Sequence, residues 1–148
     1  MKYLIPLLFL AFLSCKKSNN DLASQRSSLL VDKKWQLTGY DQDWIGDNGT
    51  PVHFEQLSAL PEFLLDDYVI FRADNTLEMN DNQILDPDDP IAVHHGNWHF
   101  EENGTVMVME IDNGNTTKSN ITSVTDAEWK QTKIVSGITN TYTFSVIP

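Results

Sequence analysis

One cysteine, Cys15, is the whole thiol content of the 148-residue sequence, so no disulfide can form within the chain. Positive charge is scarce. Ten Lys and Arg stand against 21 Asp and Glu, a formal net charge of −11 at pH 7. So acidic a chain is expected to repel nucleic acid, because phosphate contacts need clustered Lys and Arg. Nucleophilic chemistry has little to work with: there is no G-x-S-x-G elbow, no glycine-rich phosphate loop and no cysteine beyond the N-terminal segment. We expect no enzyme and no cofactor. Only one long apolar run exists, residues 3–13, and its 11 residues fall short of the roughly 20 that cross a bilayer core. No long stretch of 3.6-residue periodicity appears, which argues against a helical domain.

What is present begins with an address. Met1-Lys2, the apolar run and Ser14 form a positive start, a short hydrophobic core and a small residue at a cut site. The segment Phe12-Leu13-Ser14-Cys15 resembles a bacterial lipobox, with Phe12 larger than the usual Leu. That resemblance implies removal of residues 1–14 and alkylation of Cys15 by diacylglycerol, which would hold the protein on a membrane. Several acyl chains on one residue anchor well, since each buried CH₂ adds about 0.8 kcal/mol. Lys16 carries no inner-membrane retention signal of the aspartate kind, so an outer-membrane, extracytoplasmic destination is expected. With Cys15, residues 16–28, KKSNNDLASQRSS, read as a flexible tether, and residues 29–148 as a single domain.

Charge is concentrated in the middle of that domain. Residues 41–112 hold 17 acidic residues and one basic residue, Arg72. A solvated acidic surface accounts for this, and a docking face for a basic protein partner, or weak Ca²⁺ binding, is the functional alternative. Asp86, Asp88 and Asp89 form the densest acidic cluster, but they lack the spacing of an EF-hand loop. His94, His95 and His99 are the clustered imidazoles. On a strand His95 and His99 lie about 13 Å apart, too far for one metal, so these read as surface histidines and no metal site is assigned.

Turn signals between short β-prone runs predict an antiparallel meander. Asn103-Gly104 suits a two-residue turn. Pairing outward from it sets Glu102 against Thr105, Phe100 against Met107, Trp98 against Met109 and Gly96 against Ile111. The apolar face is then Trp98, Phe100, Met107, Met109 and Ile111. The other face, with His99–Val108 and Glu101–Val106, is mostly polar. At Ala73-Asp74-Asn75 a three-residue loop, with Asn75 left-handed, pairs Phe71 with Leu77 and Val69 with Met79 and sorts the faces best. Eight strands result, near 34–40, 67–72, 76–80, 95–102, 105–112, 117–123, 127–134 and 139–147. Residues 41–66 form an excursion with one short helical segment near 54–66, a candidate lid. The expected fold is all-β: an eight-stranded antiparallel up-and-down barrel, which removes the sheet edges.

The order of several segments resembles the lipocalin-like domain of small bacterial lipoproteins. These are Lys33-Lys34-Trp35, Leu60-Pro61 followed by Asp66-Asp67-Tyr68-Val69-Ile70-Phe71, Ala73-Asp74-Asn75-Thr76, Asp86-Pro87-Asp88-Asp89-Pro90 and Gly96-Asn97-Trp98. The resemblance spans about residues 29–147 and implies a lipocalin-like barrel. Lys33 replaces the glycine before the first-strand tryptophan. No arginine follows Arg72, so the C-terminal arginine that packs on that tryptophan in true lipocalins is missing. The inward apolar set is Trp35, Leu37, Val69, Phe71, Met79, Trp98, Phe100, Met107, Met109, Tyr142 and Phe144. It makes either a filled core or a pocket for a small hydrophobic ligand. The leading expectation is ligand binding inside the barrel with residues 41–66 gating access. The alternative is a packed barrel that docks a basic partner through its acidic face.

Overall fold

The computed structural model describes residues 22–112 and 114–148. The leader, Cys15 and the first part of the expected tether lie outside the described residues. Within them, a helix α1 (Leu22–Leu30) precedes nine strands: β1 (Lys34–Ile45), β2 (Pro51–Glu55), β3 (Tyr68–Phe71), β4 (Thr76–Asn80), β5 (Val93–Glu101), β6 (Val106–Ile111), β7 (Thr116–Val124), β8 (Glu128–Val135) and β9 (Ile138–Ile147). A 3-10 turn (Leu57–Ala59) and a one-turn helix α2 (Glu62–Leu65) lie between β2 and β3.

Each strand from β3 to β9 pairs antiparallel with the next, and β9 returns to β1. Strand β1 in turn pairs with β3 through Lys34–Ile70, Trp35–Val69 and Gln36–Tyr68. Eight strands therefore close into an up-and-down barrel, as expected. The ninth, β2, corrects the reading of residues 41–55 as an irregular excursion. Strand β1 runs on to Ile45 and folds back through Asp47-Asn48-Gly49, where Gly49 takes φ 78° and Asn48 Oδ1 accepts from the Thr50 amide at 3.1 Å. Proline at position 51 is tolerated because β2 is an edge strand whose outer amides need no partner.

Both sequence-derived hairpin registers hold. Trp98–Met109, Phe100–Met107 and Gly96–Ile111 pair across β5 and β6. Phe71–Leu77 and Val69–Met79 pair across β3 and β4, with Asn75 at φ 68°. The ladder of the β5–β6 hairpin ends one step earlier than expected, at Glu101–Val106, because Glu102 as well as Asn103 and Gly104 takes positive φ. Val108 departs from its assignment to a mostly polar face, for it is buried between its ladder neighbours His99 and Lys118.

Helix α1 corrects the tether. Residues 22–28, read as flexible from their polarity, are helical. Little in the helix itself drives this: LASQRSSLL has neither an acid in its first turn nor a base in its last. Tertiary docking does. Leu30 is fully buried, Arg26 donates to the carbonyls of Gly104 and Ile121, and Gly104 lies so close that a Cβ there would sit 2.5 Å from the Ala23 nitrogen. Helix α1 thus closes the barrel end where the β3–β4 and β5–β6 hairpins turn. Trp35 Nε1 donates to Leu30 O at 2.9 Å, and the Lys33 ammonium lies 5.7 Å from the Trp35 ring centroid. The first-strand tryptophan is therefore covered from its own N-terminal side.

The core is gathered at this closed end. Trp35, Trp98, Trp129 and Phe71 are buried, with Leu30, Leu77, Met107 and Ile121 around them. Phe71 meets Trp98 and Trp129 edge-on at 5.0 and 5.9 Å, and Trp129 stacks on Phe144 at 4.3 Å. Such pairs each add about 0.5–1.5 kcal/mol beyond the area they bury.

Candidate functional site

The other half of the barrel is not filled. A cavity of about 400 Å³ opens there. Its floor is the upper side of the packed core: Trp35, Val69 and Phe144. Strands β4 and β6 add Met79 and Met109, and β1 and β9 add Leu37, Tyr40 and Tyr142. Tyr40 and Tyr142 stack face to face, with centroids 4.9 Å apart and planes 6° from parallel.

A bulge in β1 puts Tyr40 there. Leu37 pairs with Phe144 and Gly39 with Thr143, so Thr38 is an extra residue and the inward set switches from odd to even numbers. Gly39 suits the step, since a Cβ there would come 3.0 Å from Thr143 Cβ. The bulge also shapes the opening. Only residues 34–36 of β1 pair with β3, and only 41–45 with β2, which leaves a gap in the ladder on that side. Residues 56–65 cover it. Gln56 N donates to Tyr40 O at 2.7 Å, Gln36 Nε2 donates to Leu65 O at 2.7 Å, and Leu60 and Leu64 meet the cavity. The covering segment is thus shorter than the expected lid of residues 41–66, whose first half is sheet.

Seven of the eleven expected pocket residues line the cavity: Trp35, Leu37, Val69, Met79, Met109, Tyr142 and Phe144. The other four, Phe71, Trp98, Phe100 and Met107, belong to the packed end. One inward face supplies both sets, and height along the barrel divides them. Sequence reasoning missed Tyr40, Tyr68, Leu60, Leu64, Asp67, Asn80, Asp81 and Gln131. Gly39 within a strand was the available sign of a bulge.

The wall is apolar except for a few groups, and two of those, Gln131 and Asp67, carry an unpaired oxygen. Gln131 is 7% exposed and its Oε1 has no hydrogen-bond partner. Asp67 Oδ1 is likewise buried and unpaired. Burial first, then the charges of Asp81, Asp66 and Asp86, push the Asp67 carboxyl up to about 7. The neighbouring Asp66 serves the fold instead. Its Oδ2 accepts from the amides of Gln83 and Ile84 at 2.8 and 3.0 Å and holds the connection between β4 and β5.

That connection is fastened again at its far end. His94 is buried to 9% exposure, which corrects its reading as a surface histidine, whereas His95 and His99 are exposed. Its ring nitrogens lie 3.1 Å from Asp89 and 3.2 Å from Asp112. Burial alone would lower the His94 pKa, but the Asp112 hydrogen bond and the charges of Asp89, Asp112 and Asp81 outweigh it and leave it above 6.5. The acidic LDPDDP run is local turn chemistry: Asp86 Oδ1 caps the Asp88 amide and Asp89 Oδ1 the Ile91 amide.

Eight-stranded barrels have an interior that side chains can fill or that can hold one small ligand, and this one is packed at one end and hollow at the other. No family model and no curated protein matches the chain. Among solved structures it is similar to a lipocalin-like protein from Bacteroides uniformis, with 12% identity, coverage of 77% of this chain and 96% of that one, and a TM-score of 0.44.

Proposed function

We propose that this protein is a non-catalytic carrier that holds a small hydrophobic molecule in its barrel, and that a lipid on Cys15 anchors it to the outer membrane. The cavity carries the first part. At about 400 Å³ it is within the range of small-molecule sites, and its wall is mostly aromatic, aliphatic and thioether. Met79 and Met109 give that wall adaptable surface, while the stacked tyrosines are stiff. Burial of apolar ligand area at about 25 cal/mol per Å² supplies the drive. Leu60 and Leu64 cover the gap beside β1, so movement of residues 56–65 is the economical way in. The anchor rests on the lipobox resemblance alone. A hollow barrel favours the carrier over the alternative of a filled barrel that docks a basic partner.

Native mass spectrometry of the protein isolated without detergent from its own cell envelope tests both parts. An extra mass that organic extraction removes is expected, together with a diacylglycerol modification on Cys15. A bare polypeptide mass that persists after soaking with small hydrophobes would overturn the carrier reading.

A further inference from the structure

We infer that the cargo is an amphipathic organic cation, its apolar body against the tyrosine and tryptophan wall and its N–H donors against Asp67 and Gln131. This rests on the carrier reading and deepens it. Both side chains line one cavity, and each has a buried oxygen without a hydrogen-bond partner in the protein. A neutral hydrocarbon would leave both acceptors as they are, buried and unpaired, whereas a donor that reaches either one removes that cost. A carboxylate or phosphate ligand would meet Asp67 and Asp81 on the wall. Among the described residues no Lys or Arg is ion-paired with Asp67, Asp81 or Asp86, and the cavity wall contains no basic side chain. An ammonium supplies donors and the missing charge together.

The same arrangement makes binding depend on pH. The groups that act on Asp67 are Asp66 beside it and Asp81 and Asp86 from the connection between β4 and β5. The cavity wall adds the tyrosines Tyr40, Tyr68 and Tyr142, and the charge of Asp81 also acts on His94. Every carboxylate in that set opposes ionisation of Asp67, and a bound cation favours it. Cation binding should therefore strengthen as pH rises through the neutral range.

Octylammonium, octanol and octanoate share one tail and differ in the head, so calorimetric titration of the protein with each isolates the head group. Octylammonium is expected to bind at least about tenfold more tightly than octanol, as a charge-assisted hydrogen bond gives. Octanoate should bind more weakly than either. Asp67→Asn is expected to erase the preference for ammonium while octanol binding persists, and Gln131→Met to reduce it. Equal binding of ammonium and alcohol, or tighter binding of octanoate, would overturn the inference and leave a carrier of another cargo. If none of the three binds, the carrier reading falls too. Should Asp67→Asn fail to fold, octylammonium binding by the unaltered protein from about pH 6 to pH 8 carries the test: a flat profile overturns the proposal.

Discussion

Replacing Asp67 by asparagine should stabilise the empty protein at alkaline pH and leave it unchanged at acidic pH. The carboxyl has its pKa raised from 3.8 to about 7 in the folded state, chiefly by burial and then by Asp81, Asp66 and Asp86. A raised carboxyl favours the folded state fully below its unfolded value, and that advantage is lost as pH climbs to the folded value. The window runs from about pH 4 to pH 7, and above it the buried charge is a standing cost. Taken at face value such a displacement is worth about 4 kcal/mol. The carboxyl keeps part of its contact with water, so screening reduces the cost to about 1–2 kcal/mol. Asparagine preserves the shape and removes the charge. Urea unfolding of both proteins at about pH 4 and pH 8.5 gives the double difference, with all other titrations cancelling to first order. The asparagine variant should gain about 1–2 kcal/mol at the higher pH, or about 4 °C in melting temperature per kcal/mol. A gain that is the same at both pH values would refute a titrating Asp67. A loss at the higher pH would show that the carboxylate has a partner and that the cavity is not short of positive charge.

The packed end gives a contrasting expectation: Trp98→Ala should cost about 3–5 kcal/mol in urea unfolding while ligand affinity, measured by calorimetry on protein that remains folded, changes little. Gly104→Ala sets a methyl group against the Ala23 backbone at a residue with φ +89°, so a loss of about 1–3 kcal/mol is expected, with faster hydrogen exchange in residues 22–30 read by mass spectrometry. Tyr142→Ala removes one partner of the stack that walls the cavity, and ligand binding should weaken by more than stability falls. His94 has its pKa raised above 6.5 in the folded state, so its grip on Asp89 and Asp112 is fully present below 6.5 and is lost as pH rises through the folded value. Protection of the amides in residues 81–92, taken relative to their intrinsic exchange rate at each pH, should fall across that window in the native protein and stay constant in His94→Gln.

The barrel was legible because period-two alternation and turn chemistry act locally. Asn103-Gly104 and Asn75 take the positive φ their turns require, and, apart from Glu102–Thr105, the pairs counted outward from them are the pairs observed. Helix α1 was not legible, because a polar segment without periodicity folds only when Arg26 and Leu30 find the far ends of other strands. Strand β2 was hidden by Pro51, which argues against a central strand and is harmless at an edge. The pocket was half legible. Alternation shows which side chains turn inward, but not how high along the axis each one lies, so Trp98 and Tyr142 read alike although one is packed and the other walls a cavity. Asp67 and Gln131 were passed over because polarity on an inward face reads as a break in pattern. Their significance depends on which atoms remain without partners, and that is a property of the assembled fold.

Helix α1 also sets an orientation. It docks at the closed end, and six residues separate Cys15 from Leu22. Fully stretched, that link reaches about 24 Å. If, as proposed, a lipid sits on Cys15, this link starts from the sealed base, so the mouth is the end of the barrel remote from the anchor. Cargo would then be exchanged with soluble donors and acceptors passing overhead, rather than drawn straight from the leaflet that holds the anchor.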